Sequence, residues 1–357
     1  MAKLPELNIG DLNIPVPIIQ GGMGVRVSLA RLAAAVANEG GVGTISAALI
    51  GGLKSNLTLD DSTVADIKEL IAELRKASTL TTGVIAVNVM VALTNYSALV
   101  QAAAQNGAQI IVAGAGLPLT LPKLVEGTKA KIIPIVSSGR AADLICRTWL
   151  KKYDCLPDAI IVEGPKAGGH LGFHFEELEP ESAMPDLGNI VSDVVQVAAQ
   201  YGKNKKIPVI AAGGVTTGKD IAAMLKRGAS GVQIATRFVP TYECDVSDSF
   251  KEAYIGAKKE DITIIKSPVG MPGRALNNDF IKRARRGEVK FKCFYQCLKT
   301  CDPAKSPYCI ADALIQAADG NLAEAVIFTG ANGWQTDKIV SVKDVMKELV
   351  TEAEANL

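Results

Sequence analysis

Residues 207–218 read Ile-Pro-Val-Ile-Ala-Ala-Gly-Gly-Val-Thr-Thr-Gly, and residues 231–238 read Gly-Val-Gln-Ile-Ala-Thr-Arg-Phe. Each segment is a short apolar run that ends in small residues, which is typical of a buried parallel strand leading into a helix. Gly213 and Gly214 let backbone N–H groups approach an anion that a side chain would keep away. Two such units in succession predict the phosphate site that follows strands seven and eight of a (β/α)8 barrel. The alternative explanation is two tight turns that need glycine.

The same strand-then-helix pattern recurs from residue 14 onward. Strands are predicted at residues 14–19, 41–46, 83–89, 108–113, 131–137, 158–163, 208–213 and 231–234. Helices are predicted at residues 28–38, 61–77, 95–106, 119–127, 141–153, 186–201 and 218–226. Eight alternating units favour a closed α/β barrel of the TIM type over an open doubly wound sheet.

After residue 239 this rhythm breaks. We therefore predict a (β/α)8 barrel over residues 1–240, closed by a C-terminal helix within residues 335–357, of which 342–355 show the helical pattern. Residues 241–334 are predicted to form a smaller, mostly helical subdomain, inserted after the last barrel strand as a lid over the substrate. Residues 268–274, Pro-Val-Gly-Met-Pro-Gly-Arg, predict a stiff loop at the pocket. Trp334 is either an aromatic wall of that pocket or an ordinary packing residue.

Composition restricts the partners. Of 357 residues 48% are hydrophobic, and 38 Lys and Arg balance 37 Asp and Glu, so no basic face is expected to bind nucleic acid or an anionic membrane. The N-terminal residues do not resemble a signal peptide, and seven cysteines, an odd number, favour reduced thiols. We expect a cytoplasmic protein that acts on a small molecule, and we leave a homodimer open.

Residues 162–172, Val-Glu-Gly-Pro-Lys-Ala-Gly-Gly-His-Leu-Gly, form a glycine-rich loop after a predicted strand. The chain has two histidines, His170 and His174, and both lie in or beside this loop. Histidine exchanges protons near neutral pH, and loops at the carboxyl ends of barrel strands carry catalysis. We therefore interpret His170 as catalytic and His174 as an ordinary loop residue.

The turn Gln20-Gly-Gly-Met-Gly24 follows the first predicted strand. Met23 could place a soft thioether against a flat ring, and Asn88 could hydrogen-bond the edge of that ring. The alternatives are a simple turn for the glycines and a helix cap for Asn88.

Together these segments resemble the nitronate monooxygenase family, which includes the enoyl reductase II enzymes and NAD(P)H-dependent flavin oxidoreductases. The resemblance runs from about residue 17 to the C-terminus and implies a barrel with FMN at its mouth. It implies that His170 adjoins the substrate, as a proton-abstracting base in the nitronate enzymes or as part of the substrate site in the reductases. The FMN-binding residues that it implies are Gly22, Met23 and Asn88 near the ring, Gly213, Gly214, Gln233 and Thr236 around the phosphate, and Gly169 and Ala212 beside them.

Two positions depart from the family pattern. Lys166 stands where many relatives have an acidic residue, and Ala235 stands where the last strand usually carries a glycine. Lysine at residue 166 alters the local charge, and it weakens the inference that this chain acts on the same substrates as its relatives.

Four functions follow from these residues. The first is an FMN enzyme that transfers hydride from NAD(P)H to an activated C=C bond or a quinone-like acceptor. The second is a nitronate monooxygenase that oxidises alkyl nitronates with O2. The third is a non-catalytic barrel that binds a phosphorylated metabolite. The fourth, an isomerase or aldolase, would have to use Lys166 or Glu163.

Cys293, Cys297, Cys301 and Cys309 are spaced by four, four and eight residues. Four thiolates could hold zinc or an iron–sulfur cluster, although neither common spacing is present. The same spacing also fits small apolar residues on one face of a helix. We assign no metal ligand, and metal analysis of the purified protein decides between these explanations.

Overall fold

A computed structural model describes residues 3–52, 58–202 and 206–357. It begins with an antiparallel hairpin of β1 (Leu7–Ile9) and β2 (Leu12–Ile14), which pair with Leu7 opposite Ile14. The apolar side chains of this hairpin pack on the residues that fill the barrel interior. The predicted first strand at 14–19 is therefore divided, because Ile14 belongs to the hairpin and the barrel strand starts at Ile18.

Eight parallel strands form a closed barrel in the order β10-β11-β3-β4-β5-β6-β7-β8. In chain order the strands are β3 (Ile18–Gln20), β4 (Val42–Ser46), β5 (Val84–Met90), β6 (Ile110–Gly114), β7 (Lys131–Val136), β8 (Ile160–Glu163), β9 (Gly169–His170, outside the barrel), β10 (Val209–Ala212) and β11 (Gly231–Ile234). The predicted (β/α)8 barrel is confirmed.

The strands alternate with helices that cover the outside of the barrel: α1 (Ala30–Asn38), α2 (Leu59–Leu80), α3 (Tyr96–Gln105), α4 (Leu121–Leu124), α5 (Gly139–Tyr153), α6 (Leu187–Tyr201) and α7 (Gly218–Lys226). The segment after β11 contains α8 (Asp248–Ile255), α9 (Asp279–Arg285) and α10 (Ile310–Asp319), and the chain ends with α11 (Val342–Asn356). Side-chain caps fix several starting points; the Thr217 hydroxyl, for example, accepts from the Asp220 N–H at the start of α7.

The barrel strands are buried on both faces, as their continuous apolar runs predict. Along β6, Ile110 and Val112 point into the barrel interior, whereas Ile111 and Ala113 pack toward the helices. Among the described residues, no helix is long and apolar enough to cross a membrane.

The C-terminal helix returns to the barrel. It begins at Val342, later than the start of the predicted segment at 335. It packs on α7, where the Gly218 N–H donates to Glu352 Oε2 at 2.7 Å. A side chain at residue 218 would collide with the backbone of α11, since a Cβ there would lie 2.3 Å from Ala353 N.

The segment from 241 to 334 is not simply helical. It contains α8, α9 and α10 but also the hairpin of β12 (Ile262–Lys266) and β13 (Pro272–Leu276). β13 pairs with β9 of the barrel loop, with Gly273 opposite His170. The prediction missed this three-stranded sheet because β9 has only two residues, and its partner lies about a hundred residues away in the chain. The end of the predicted stiff loop at 268–274 is therefore strand, and Val269 lies in the intervening turn.

The four clustered cysteines do not lie on a helix. The described backbone between α9 and α10 contains turns but no helix, and it attaches to the loop after β5 through the bridge between Leu93 and Leu298. The helical-face explanation of the cysteine spacing is therefore wrong. Tertiary contacts rather than local periodicity hold this segment in place.

Candidate active site

The carboxyl ends of the barrel strands and the inserted segment enclose a cavity of about 220 Å³. Of the predicted site residues, those that line it are Gly22, Met23, Asn88, Gly169, His170, Gln233 and Thr236. A second cavity of about 60 Å³ adjoins the first, and the predicted residues lining it are Ala212, Gly213, Gly214, Gln233 and Thr236. The fold thus brings all ten predicted residues together around two adjoining cavities, which share Gln233 and Thr236 as lining residues. We call the second, smaller cavity the glycine pocket.

The glycine pocket requires glycine at two successive positions. Gly213 and Gly214 have φ angles of +86° and +107°, in the left-handed region that favours glycine. A Cβ at Gly213 would also lie 2.7 Å from the carbonyl oxygen of Gly164. The Asn332 amide donates to the Gly214 carbonyl at 3.0 Å and fixes the turn from the other side. The turn therefore exposes main chain to the pocket, as an anion site needs.

Lys166 adds a positive charge to this pocket. Its side chain lines the wall, and a Cβ at Gly214 would lie 3.0 Å from Lys166 Cβ. Lys166 Nζ also lies 3.7 Å from Glu181 Oε1 in a partly exposed ion pair. The departure from the family pattern at residue 166 therefore places a cation beside the turn at Gly213 and Gly214.

Gln233 stands between the two cavities and lacks a partner for one atom. Its Oε1 is buried and accepts no hydrogen bond from any residue that the structure describes. A buried unsatisfied acceptor is unfavourable by about 1–3 kcal/mol, so such an atom usually marks a ligand or water position. The amide of Gln233 is thus available to a group that spans both cavities.

On the opposite wall the turn after β3 lies directly against β5. A Cβ at Gly22 would lie only 2.3 Å from Asn88 Cβ, so only glycine allows this approach. The buried Gln20 holds the turn, because its amide donates to the Gly21 carbonyl and its Oε1 accepts from the Thr44 N–H at 2.9 Å. Gly22, Met23 and Asn88 together form this wall of the cavity.

His170 is held from the inserted segment. Its Nε2 lies 2.8 Å from Ser267 Oγ, and its ring meets Phe328 edge-on at 5.0 Å between centroids. Burial lowers the pKa of His170 to about 4. The imidazole is therefore neutral near pH 7 and acts there as a hydrogen-bonding group rather than as a cation.

Glu163 is a site residue that the sequence analysis had considered only for an isomerase. It ends β8, lines both cavities, and burial raises its pKa to about 7. The available signal was a carboxylate after the apolar run Ile-Ile-Val of a buried strand. A carboxyl group with such a pKa can exchange a proton near neutrality.

The inserted segment contributes a wall that the sequence analysis did not identify. α10, Phe250 and Tyr254 of α8, and Phe328 all line the larger cavity. Burial raises the pKa of Tyr254 to about 12. Nothing in the local sequence links these residues to the barrel mouth.

Other predicted residues lie elsewhere. Trp334 is 39% exposed and does not line either cavity, so it is not an aromatic wall. His174 begins a short turn, and its backbone N–H donates to Glu177 Oε2 at 2.7 Å. The four clustered cysteines line a separate small cavity, and no three His, Cys, Asp or Glu residues in the described chain are arranged to hold a metal ion.

Comparisons with known proteins extend over most of the chain. The sequence profile of a family described as nitronate monooxygenase matches residues 6–352. A probable nitronate monooxygenase of Staphylococcus aureus is 26% identical over 302 residues, which cover 78% of this chain and 79% of that protein. The structure of FabK from Thermotoga maritima superposes with a TM-score of 0.73 at 26% identity, covering 96% of this chain and 94% of that one.

A third relative carries a different name. The (3aS,4S,5R,7aS)-5-hydroxy-7a-methyl-1-oxo-octahydro-1H-indene-4-carboxyl-CoA dehydrogenase of Mycobacterium tuberculosis is 29% identical over 276 residues. That match covers 77% of this chain and 67% of the mycobacterial protein. Proteins similar to this chain are therefore named for more than one oxidation or reduction.

Proposed function

Because the chain belongs to the nitronate monooxygenase family of oxidoreductases, we propose that it is an FMN-dependent enzyme that reduces a small molecule with NAD(P)H. The acceptor is an activated C=C bond or a quinone-like compound. The observation that carries this proposal is the pair of adjoining cavities, one lined by the main-chain turn at Gly213 and Gly214 and the other by the neutral His170.

The described residues fit FMN. Gly213, Gly214 and Thr236 would hold its phosphate, with Lys166 supplying a positive charge. The unpartnered Oε1 of Gln233 would accept a hydrogen bond from the part of the cofactor that joins the two cavities.

The cavity wall formed by Gly22, Met23 and Asn88 would lie along the ring of FMN. Bound FMN supplies hydride transfer between donor and acceptor. The overall reaction consumes NAD(P)H, one proton and the oxidised acceptor, and it yields NAD(P)+ and the acceptor reduced by two electrons.

His170 would orient the acceptor. As a neutral imidazole it can donate one hydrogen bond to a carbonyl or quinone oxygen, while Ser267 and Phe328 fix the ring. Glu163 could supply or store the proton that the reduced acceptor needs, since burial raises its pKa to about 7.

The second candidate is oxidation of alkyl nitronates with O2. The family description and the staphylococcal relative favour it. In that reaction His170 would interact with the nitronate, but burial lowers its pKa to about 4, which leaves it a weak base.

Anaerobic stopped-flow measurement tests the proposal. The purified or FMN-reconstituted protein is mixed with NADH, NADPH or an alkyl nitronate, and flavin absorbance is followed. Fast bleaching by NADH or NADPH supports the reductase, whereas fast bleaching by the nitronate alone supports the monooxygenase. A colourless protein that does not take up FMN contradicts both and leaves a non-catalytic phosphometabolite barrel.

The setting that suits this function is the cytoplasm, where NAD(P)H is supplied. Seven cysteines, an odd number, suit a reducing compartment in which thiols stay reduced. We propose no partner beyond the small-molecule substrate, and size-exclusion chromatography with light scattering tests the homodimer.

A further inference from the structure

The part of the large cavity beyond the flavin-binding residues is walled by apolar side chains. Ile310, Leu314 and Ala317 lie on one face of α10 and line the cavity. The apolar residues around them come from both the barrel loops and the inserted segment: Val25, Leu49, Leu93, Val269, Leu298, Val326 and Phe328. We call this part of the cavity the α10 chamber.

The lining offers no positive charge. Among the described residues that line the large cavity, the titratable ones are Glu163, His170 and Tyr254. His170 is neutral near pH 7, since burial lowers its pKa to about 4, and Glu163 can only be neutral or negative. The buried cation Arg274 lies outside the lining and donates to the carbonyl oxygens of Pro165 and Ala167 at 2.6 and 2.7 Å.

We infer that the α10 chamber selects electrically neutral, apolar substrates and rejects anionic ones of the same size. This inference rests on the proposed function and names its substrate class. An apolar ring or chain gains contact with Ile310, Leu314 and Ala317. An anion that enters loses its hydration and finds no cation among the described lining residues. Nitronates, which are anions, are therefore disfavoured relative to neutral enones and quinones.

A matched pair of ligands tests this selectivity. Menadione is neutral and apolar, and a naphthoquinone sulfonate has the same ring system with one fixed negative charge. Calorimetric titration of the purified protein with each ligand gives the two dissociation constants without requiring turnover. We expect menadione to bind about 100-fold more tightly, because burial of an unpaired anion is strongly unfavourable. Equal affinities, or tighter binding of the sulfonate, would overturn the inference.

Turnover with NAD(P)H separates this inference from the proposed function. Selective binding of menadione without any turnover contradicts the proposed function but supports the chamber's selectivity. Turnover of both quinones with equal kcat/KM supports the function and contradicts the selectivity.

A charge introduced into the chamber should reverse the preference. Leu314→Lys adds one cation to the wall, and we expect it to tighten sulfonate binding about tenfold and weaken menadione binding. Thr351→Lys adds the same charge at an exposed position on α11 and should keep the wild-type ratio. Leu314→Met keeps the wall apolar and should keep it too. If Leu314→Lys folds, as judged by circular dichroism, and the ratio does not change, the chamber does not set selectivity. If Leu314→Lys does not fold, the ratio of the two dissociation constants measured for the wild-type protein decides whether the chamber sets selectivity.

Discussion

His170 Nε2 lies 2.8 Å from Ser267 Oγ, although the two residues are 97 positions apart in the chain. The contact joins the barrel loop that carries His170 to the turn between β12 and β13 of the inserted segment. Ser267 is buried, and its Oγ also accepts from the Val269 N–H at 3.3 Å, which ties the hydroxyl to this turn. The inserted segment therefore sets the orientation of the imidazole as well as covering the cavity.

His170→Ala should retain FMN but lose most turnover. We expect kcat to fall about 100-fold or more, as for removal of a group that positions or protonates the substrate. Flavin content by absorbance and kcat by steady-state kinetics measure the two effects. Unchanged turnover would remove His170 from the mechanism.

Ser267→Ala should weaken the positioning of His170 without removing the imidazole. We expect kcat to fall about tenfold with a smaller change in KM, since loss of a supporting hydrogen bond typically has this effect. Ser267→Thr keeps the hydroxyl and should restore part of the rate. If the Ala and Thr variants have the same kcat, the hydroxyl does not position His170.

Lys166→Ala should weaken FMN binding through the phosphate alone. We expect the Kd for FMN to rise about tenfold at low salt and less at high salt, because the partly exposed charge is screened. The Kd for riboflavin, which has no phosphate, should not change. Lys259→Ala is the matched control, because Lys259 pairs with the same Glu181 at 3.4 Å but does not line the glycine pocket. Equal effects on FMN and riboflavin would show that Lys166 does not contact the phosphate.

Glu163 and His170 should give opposite pH dependences of stability in the FMN-free protein. Burial raises the pKa of Glu163 from 4.5 to about 7, so unfolding becomes easier as pH rises through this range. Burial lowers the pKa of His170 from 6.5 to about 4, so folding is favoured as pH rises from about 4 to 6.5. Each pKa shift changes the free energy of unfolding by about 3 kcal/mol across its pH range, and the two changes have opposite signs and largely cancel.

Denaturant titration of two variants separates these contributions. The wild-type protein should lose stability relative to Glu163→Gln as pH rises from about 4.5 to 7, because only wild type carries the buried carboxyl group. It should gain stability relative to His170→Ala as pH rises from about 4 to 6.5, because only wild type carries the buried imidazole. Parallel pH profiles for wild type and both variants would show that neither group titrates abnormally.

We expect no stoichiometric zinc or iron in protein purified without chelators. In the described chain the four clustered thiols are not arranged as metal ligands, and burial raises the pKa of Cys297 to about 12, which keeps it protonated. Elemental analysis measures the metal directly. One zinc or iron per chain, lost in Cys297→Ser, would contradict this.

The sequence by itself determined the barrel and located the glycine pocket. Alternating apolar strands and helices, and glycines at residues 213 and 214, are local patterns, so they can be interpreted without knowing what they contact. His170 could be selected in the same way, because it lies in a glycine-rich loop at a strand end. The helical interpretation of the cysteine spacing was wrong because a helical repeat is also only a local pattern, and tertiary contacts can override it.

Only the tertiary structure decided what surrounds these residues. Ser267 and Phe328 reach His170 from distant parts of the chain, and the α10 wall lies opposite the barrel mouth. The neutral state of His170 and the raised pKa of Glu163 both follow from burial. Burial depends on long-range packing, which no local pattern encodes. The charge of the site, and hence the substrate preference that we infer from it, is therefore a property of the fold.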